Sequence, residues 1–129
     1  PALRYLNQVV RRRSVAFLIS DFIAPSCEHL LRVTARRHDL VSLVIGDKRE
    51  SALPAVGLVD FEDAETGRRI VVDTSHAPTR RALLARQTER RQALLRQLSR
   101  ARSDAIELHA GERYDRELVR FFRTREKRR

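Results

Sequence analysis

A chain of 129 residues, 42% hydrophobic and 34% charged, reads as one domain with one core under an unusually charged surface. Aromatics make up 5%, and Trp and Met are absent, so the core has to be aliphatic. No apolar run approaches the roughly 18 residues needed to cross a bilayer, the N-terminus has no signal-peptide layout, and the single Cys27 excludes an internal disulfide. These features point to the cytoplasm or the cytoplasmic face of a membrane. The missing initiator Met gives the expectation that the chain is a piece of a longer protein.

Leu3, Leu6 and Val10 fall at i, i+3, i+7 and predict a short amphipathic helix. The unbroken apolar run Ser14–Ser20 predicts a strand buried on both faces of a parallel sheet, ending at Asp21. Pro25 and Ser26 open a helix whose face carries Cys27, Leu30, Leu31 and Thr34, which makes Cys27 a core residue. Leu40–Ile45 is a second buried strand, completing a βαβ unit. Leu58–Glu62 and Arg69–Asp73 predict an inserted hairpin, with Gly67 taking the left-handed position of its loop.

Ala77 to Arg102 predicts a long helix with a stripe of Leu83, Leu84, Leu94, Leu95 and Leu98. Its middle, Arg86 to Gln92, is polar all round and is expected to stand free of the core. Asp104–Leu108 is a third short strand. Tyr114, Leu118, Phe121 and Phe122 mark a last amphipathic helix, and the basic tail Arg123–Arg129 is expected to fray.

The formal charge of +10 creates an attractive field for nucleic acids and anionic lipids. Against that, all the basic residues except Lys48 and Lys127 are Arg, a skew that codon usage produces, and stacking aromatics are scarce. A solvated, partner-facing helix is the commoner meaning of Arg80, Arg81, Arg86, Arg90, Arg91, Arg96 and Arg100. The four His residues show no zinc spacing, and no phosphate loop, nucleophile elbow or carboxylate dyad appears. A metal-dependent hydrolase would need Asp21, Asp47 and Glu50 to converge at one sheet edge; turn-shaping and pairing with Arg49 is the plainer reading.

The ordered series Arg12–Phe22, Arg37–Val41, Asp47–Glu50, Leu53–Gly57, Asp63–Gly67 and Leu118–Arg125 resembles the end of the bacterial family called domain of unknown function 58. The likeness covers nearly the whole chain and departs at Lys48, where the family has Pro. It implies the C-terminal part of a von Willebrand A-like domain: an α/β, Rossmann-like three-layer fold with parallel strands and an inserted β-hairpin. It further implies a metal-ion-dependent adhesion site at the strand ends. Of that site only Asp21 is carried over, as the third-loop Asp; the Asp-x-Ser-x-Ser loop has no counterpart here. The expectation is therefore no cofactor in this chain, with Mg²⁺ binding reserved for a full-length protein.

The resemblance implies the strand order 3-2-1-4-5-6, of which this chain holds strands 4, 5 and 6; with strand 1, the normal neighbour of Ser14–Ser20, absent from the chain, that strand is expected at a sheet edge, which predicts self-association through it across a two-fold axis. The resemblance also implies a non-enzymatic protein-interaction module that works with a MoxR-type AAA+ ATPase in assembling or activating other proteins. Asp47, Glu50, Arg86, Arg90 and Arg91 are the candidate contact residues. Nucleic-acid binding through the Arg-rich surface is the alternative.

Overall fold

The computed structural model describes residues 2–23, 28–46, 53–62, 67–111 and 113–127. Along them run α1 (Ala2–Val9), β1 (Val15–Ser20), α2 (Glu28–Arg37), β2 (Asp39–Gly46), β3 (Leu58–Glu62), β4 (Arg69–Asp73), α3 (Ala77–Arg100), β5 (Asp104–His109) and α4 (Tyr114–Glu126). Strands β1, β2 and β5 form a parallel sheet in that spatial order, and β3 pairs with β4 as an antiparallel hairpin. The fold is mixed α/β, as the alternation of apolar runs with helical periodicity requires. Cys27 and the start of the second helix, Asp47 and Glu50, and the hairpin loop 63–66 lie outside the described residues.

Strand β2 is the centre of the sheet. Leu40, Val41, Ser42, Leu43 and Val44 are all buried, because both of its edges are paired and both of its faces are covered. Ser42 is tolerated there because its hydroxyl meets that of Ser103 at 2.8 Å, which satisfies two buried polar groups at once.

The two faces carry different helices. On one, Leu40 and Val44 pack with Leu3 of α1, Leu31 of α2, and Leu98 and Ala101 at the end of α3. On the other, Val41, Leu43, Ile106 and Leu108 pack, among the described residues, with Ile45 of β2 and with Leu118 and Phe121 of α4. Strand β1 therefore departs from the two-sided burial expected of its apolar run. Ala16 and Leu18 pack against the helix-covered face, whereas Val15, Phe17 and Ile19 are 54%, 49% and 63% exposed. The reason is local: among the described residues β1 ends the sheet, and α4 reaches it through an edge-to-face contact of Phe122 with Phe17, 6.1 Å between ring centroids.

Two helix ends differ from expectation. Helix α3 stops at Arg100 and not at Arg102, because Arg102 enters the left-handed region at φ 61°. The amide of Ser103 then donates to the Leu98 carbonyl, and that of Arg102 to the Ser99 carbonyl, both at 3.0 Å. This is a Schellman closure built on Arg where Gly is usual.

Helix α4, by contrast, runs on through Glu126, so the stretch expected to fray is helical for its first four residues. Arg125 holds it down. Its guanidinium pairs with Asp39, lies 3.4 Å from Asp104 and sits over the Phe121 ring. These two carboxylates start β2 and β5, so the C-terminal turn is pinned to the amino edge of the sheet.

The hairpin is stapled at its base by Thr74, which is fully buried. Its hydroxyl and its amide both donate to the Gly57 carbonyl, at 2.7 and 2.8 Å, and the Val56 amide donates back to the hydroxyl at 3.1 Å. Gly57 (φ 87°) and Gly67 (φ 65°) supply the left-handed corners before β3 and before β4.

Candidate interaction site

Open α/β sheets bind their ligands beyond the carboxyl ends of the strands. Here that edge is formed by the residues after Ser20, by Gly46 and by His109. After β1 the chain turns sharply. The Phe22 amide donates to the Ser20 hydroxyl at 3.0 Å, the Ile23 amide donates to Asp21 Oδ1 at 3.3 Å, and Phe22 takes φ 55°. Asp21 is exposed at this corner, with its carboxylate folded back onto its own backbone.

Helix α3 supplies the cations. Arg91 donates from Nε to Glu107 Oε2 at 2.5 Å, and its Nη2 completes the ion pair. Its position is tight: a Cβ added at Gly46 would meet Arg91 Nη1 at 3.0 Å and His109 Nδ1 at 3.5 Å. The guanidinium thus lies against the end of β2 while neutralising a carboxylate of β5. Arg90 donates from Nη2 to the Ile23 carbonyl at 2.9 Å and so ties the loop after β1 to α3. Arg86, one turn earlier, is exposed. The middle of α3 is therefore not detached, as its all-round polarity predicts; two of its arginines are anchored on the sheet's carboxyl edge.

This edge is suited to contact with a charged surface. Both signs are present, and Arg90 and Arg91 are held by fixed partners, so little side-chain freedom remains to be lost on contact. Among the described residues, no group of three or more His, Cys, Asp or Glu could hold a metal ion. Asp21 is the sole carried-over ligand, one of its oxygens accepts a backbone amide, and guanidinia occupy the same edge. The described residues do not compose the set of hard oxygens that Mg²⁺ requires.

Of the candidate contact residues, the structure ties Arg90 to Asp21's loop, sets Arg91 against Glu107 and the end of β2, and leaves Arg86 exposed one turn earlier on α3. Asp47 and Glu50 fall outside the described residues. Glu107 and Gly46 were missed by sequence reasoning. The signal for Glu107 was a carboxylate between Ile106 and Leu108 in the interior of a strand, a position that favours a cationic partner.

Comparison with known proteins agrees with the sequence pattern. The sequence model of the family described as "Protein of unknown function DUF58" matches residues 1–93. An uncharacterized protein of Mycobacterium avium is 37% identical over 75 residues, covering 56% of this chain and 44% of its own length. Uncharacterized proteins of Mycobacterium bovis and Mycobacterium tuberculosis are each 40% identical over 67 residues, covering 51% of this chain and 21% of theirs. The chain thus spans less than half the length of these relatives. No solved structure matches it. Among the described residues, no helix is long and apolar enough to cross a membrane.

Proposed function

The chain belongs to the DUF58 family, and on that premise we propose that it is a non-enzymatic protein-interaction module, part of a von Willebrand A-like domain, that acts with a MoxR-type AAA+ ATPase in assembling or activating other proteins. The observation that carries this reading is the carboxyl edge of the parallel sheet, where Arg90 and Arg91 are anchored to the Ile23 carbonyl and to Glu107, with Arg86 exposed beside them. An edge fixed in this way offers a preformed charged surface, in the place where α/β sheets meet their ligands. The parallel order β1-β2-β5 supports the von Willebrand A kinship. Mg²⁺ enters only as a property of the full-length protein, with Asp21 as one ligand.

The test is a binding titration of the 129-residue chain against a purified MoxR-type ATPase from the same genome. The expected dissociation constant is about 1–10 µM, and charge reversal by Arg86→Glu with Arg90→Glu weakens it at least about tenfold. Absence of binding up to about 100 µM rejects the partnership. Titration with random-sequence DNA across a salt series separates the alternative, since a nucleic-acid surface loses affinity steeply as counterions are added.

A further inference from the structure

The cations of α3 and α4 are used differently. On α3, Arg80 donates to the Thr74 and Ser75 carbonyls, Arg90 to the Ile23 carbonyl and Arg91 to Glu107. On α4, Arg125 turns inward onto Asp39 and Asp104, on the side where Leu118 and Phe121 pack against the sheet. Arg116, Arg120, Arg123 and Lys127 are exposed, and among the described residues their side chains have no ion-pair or hydrogen-bond partner. Spacings of four, three and four residues put these four within about 60° of arc at 3.6 residues per turn, opposite the face that meets the sheet. Helical backbone continues through Lys127, so the row is straight and about 16 Å long. No carboxylate lies inside it: Asp115, at its margin, is held by Arg113 at 2.7 Å, and Glu117 and Glu126 fall about 90° to either side.

A row of this kind does not pack beneath another apolar element, because burying unpaired cations costs far more than the contact returns. It faces solvent or repeated anions. A folded protein surface mixes both signs and answers such a row at one or two points. A nucleic-acid duplex answers all of it, since one strand presents a charge every ~3.4 Å of axis and the row offers a cation every ~5.5 Å. An anionic bilayer fits less well. An interfacial helix buries its apolar face among the acyl chains, whereas that face of α4 is occupied by the sheet. Val119 is the one apolar side chain lining the open depression between the four cations, among the described residues. A single strand would need aromatic platforms, and the row contains none.

We propose that the outer face of α4 docks on the phosphates of a nucleic-acid duplex, with Arg116, Arg120, Arg123 and Lys127 each meeting one and no base sequence being read. The anchored arginines of α3 take no part in this contact. It uses no residue of the Arg86–Arg91 region, so it stands or falls separately from the ATPase partnership.

Fluorescence anisotropy of the 129-residue chain with a labelled random-sequence duplex of about 20 base pairs, over a salt series, tests it. The expected dissociation constant is about 1–100 µM near physiological salt, and four phosphate contacts give a slope of log K against log salt of about −3.6. Arg120→Ala with Arg123→Ala brings the slope to about −1.8 and weakens binding at least about tenfold, with unchanged circular dichroism. Arg81→Ala with Arg86→Ala removes the same charge from exposed positions of α3 and changes binding less than about twofold. Four outcomes overturn the proposal. The first is no duplex binding up to about 100 µM. The second is an α3 pair as damaging as the α4 pair, which would make net charge and not the row responsible. The third is tighter binding to a single strand of the same length. The fourth is an α4 pair that loses binding to phosphatidylserine vesicles and keeps binding to the duplex, which would assign the row to a membrane surface.

Discussion

The two faces of the parallel sheet are built from the same strands and treat them differently. On one face Ala16, Leu18, Leu40 and Val44 sit beneath α1, α2 and α3, and Leu98 is wholly enclosed. On the other, Val41, Leu43, Ile106 and Leu108 are buried under a single helix that itself buries no residue fully, and β1 is left half open. The open side of β1 carries Val15, Phe17 and Ile19 and the covered side Ala16, Leu18 and Ser20, so the more apolar side is the more exposed one and hydrophobicity alone does not decide burial. What decides it is the number of elements that reach the strand.

This contrast is sharpest in a pair of substitutions. Leu98→Ala, in the core between α3, its two neighbouring helices and the sheet, is expected to cost about 2–5 kcal/mol in urea unfolding, because a cavity remains where the side chain was. Ile19→Ser, on the open face, is expected to cost under about 1 kcal/mol when the chain is dilute. Equal losses would erase the distinction between the faces.

The open face depends on α4, and α4 on Arg125. Arg125→Ala removes the cation that Asp39 and Asp104 share at the amino edge. Both partners of the main pair are only partly exposed, at 23% and 19%, so some screening applies. An effect of about 1–2 kcal/mol is expected, with Arg123→Ala, an exposed neighbour on the same helix, as the near-neutral control.

Arg102→Gly probes the closed face from the opposite direction. Removing the Cβ from a left-handed position that terminates α3 is expected to stabilise the chain by about 0.5–1 kcal/mol, read as a raised midpoint in the same unfolding assay.

The smallest effect concerns the first turn of α4. The Arg113 side chain, by hydrogen bonding, holds the Asp115 carboxyl below its ordinary value of 3.8; slight desolvation opposes this, and backbone amides add to the lowering. A depressed carboxyl contributes stability that is complete above its unfolded value and is lost as pH falls through its folded one. Amide protection in the first turn of α4, taken relative to the intrinsic exchange rate at each pH, should therefore fall slightly as the pH drops below about 4, and Asp115→Asn should remove that dependence.

Local features of the fold were legible in the sequence. The hairpin strands coincide with their expected limits because alternation and the turn glycine Gly67 are short-range signals. The apolar runs gave β1 and β2, and the heptad-like spacing gave α4. What escaped was set by partners distant in sequence. Arg125 meets Asp39 across 86 positions, and no local pattern distinguishes it from the arginines around it. Arg90 reaches the Ile23 carbonyl across 67 positions, which is why a polar stretch expected to stand free is tied down. Arg102 carries a conformation that composition gives no reason to expect outside Gly or Asn. Of the candidate site, Asp21, Arg86, Arg90 and Arg91 were named from the sequence and lie at or beside the carboxyl edge, whereas the roles of Glu107 and Gly46 needed the third dimension.

Thr74 joins more than the two ends of the hairpin. Its hydroxyl and amide grip Gly57, while its own carbonyl, together with that of Ser75, accepts from the Arg80 guanidinium in the first turn of α3. A load applied to the β3–β4 ribbon would therefore be passed directly into the helix that carries Arg86, Arg90 and Arg91. The ribbon is in this sense bolted to the helix whose arginines line the charged end of the sheet.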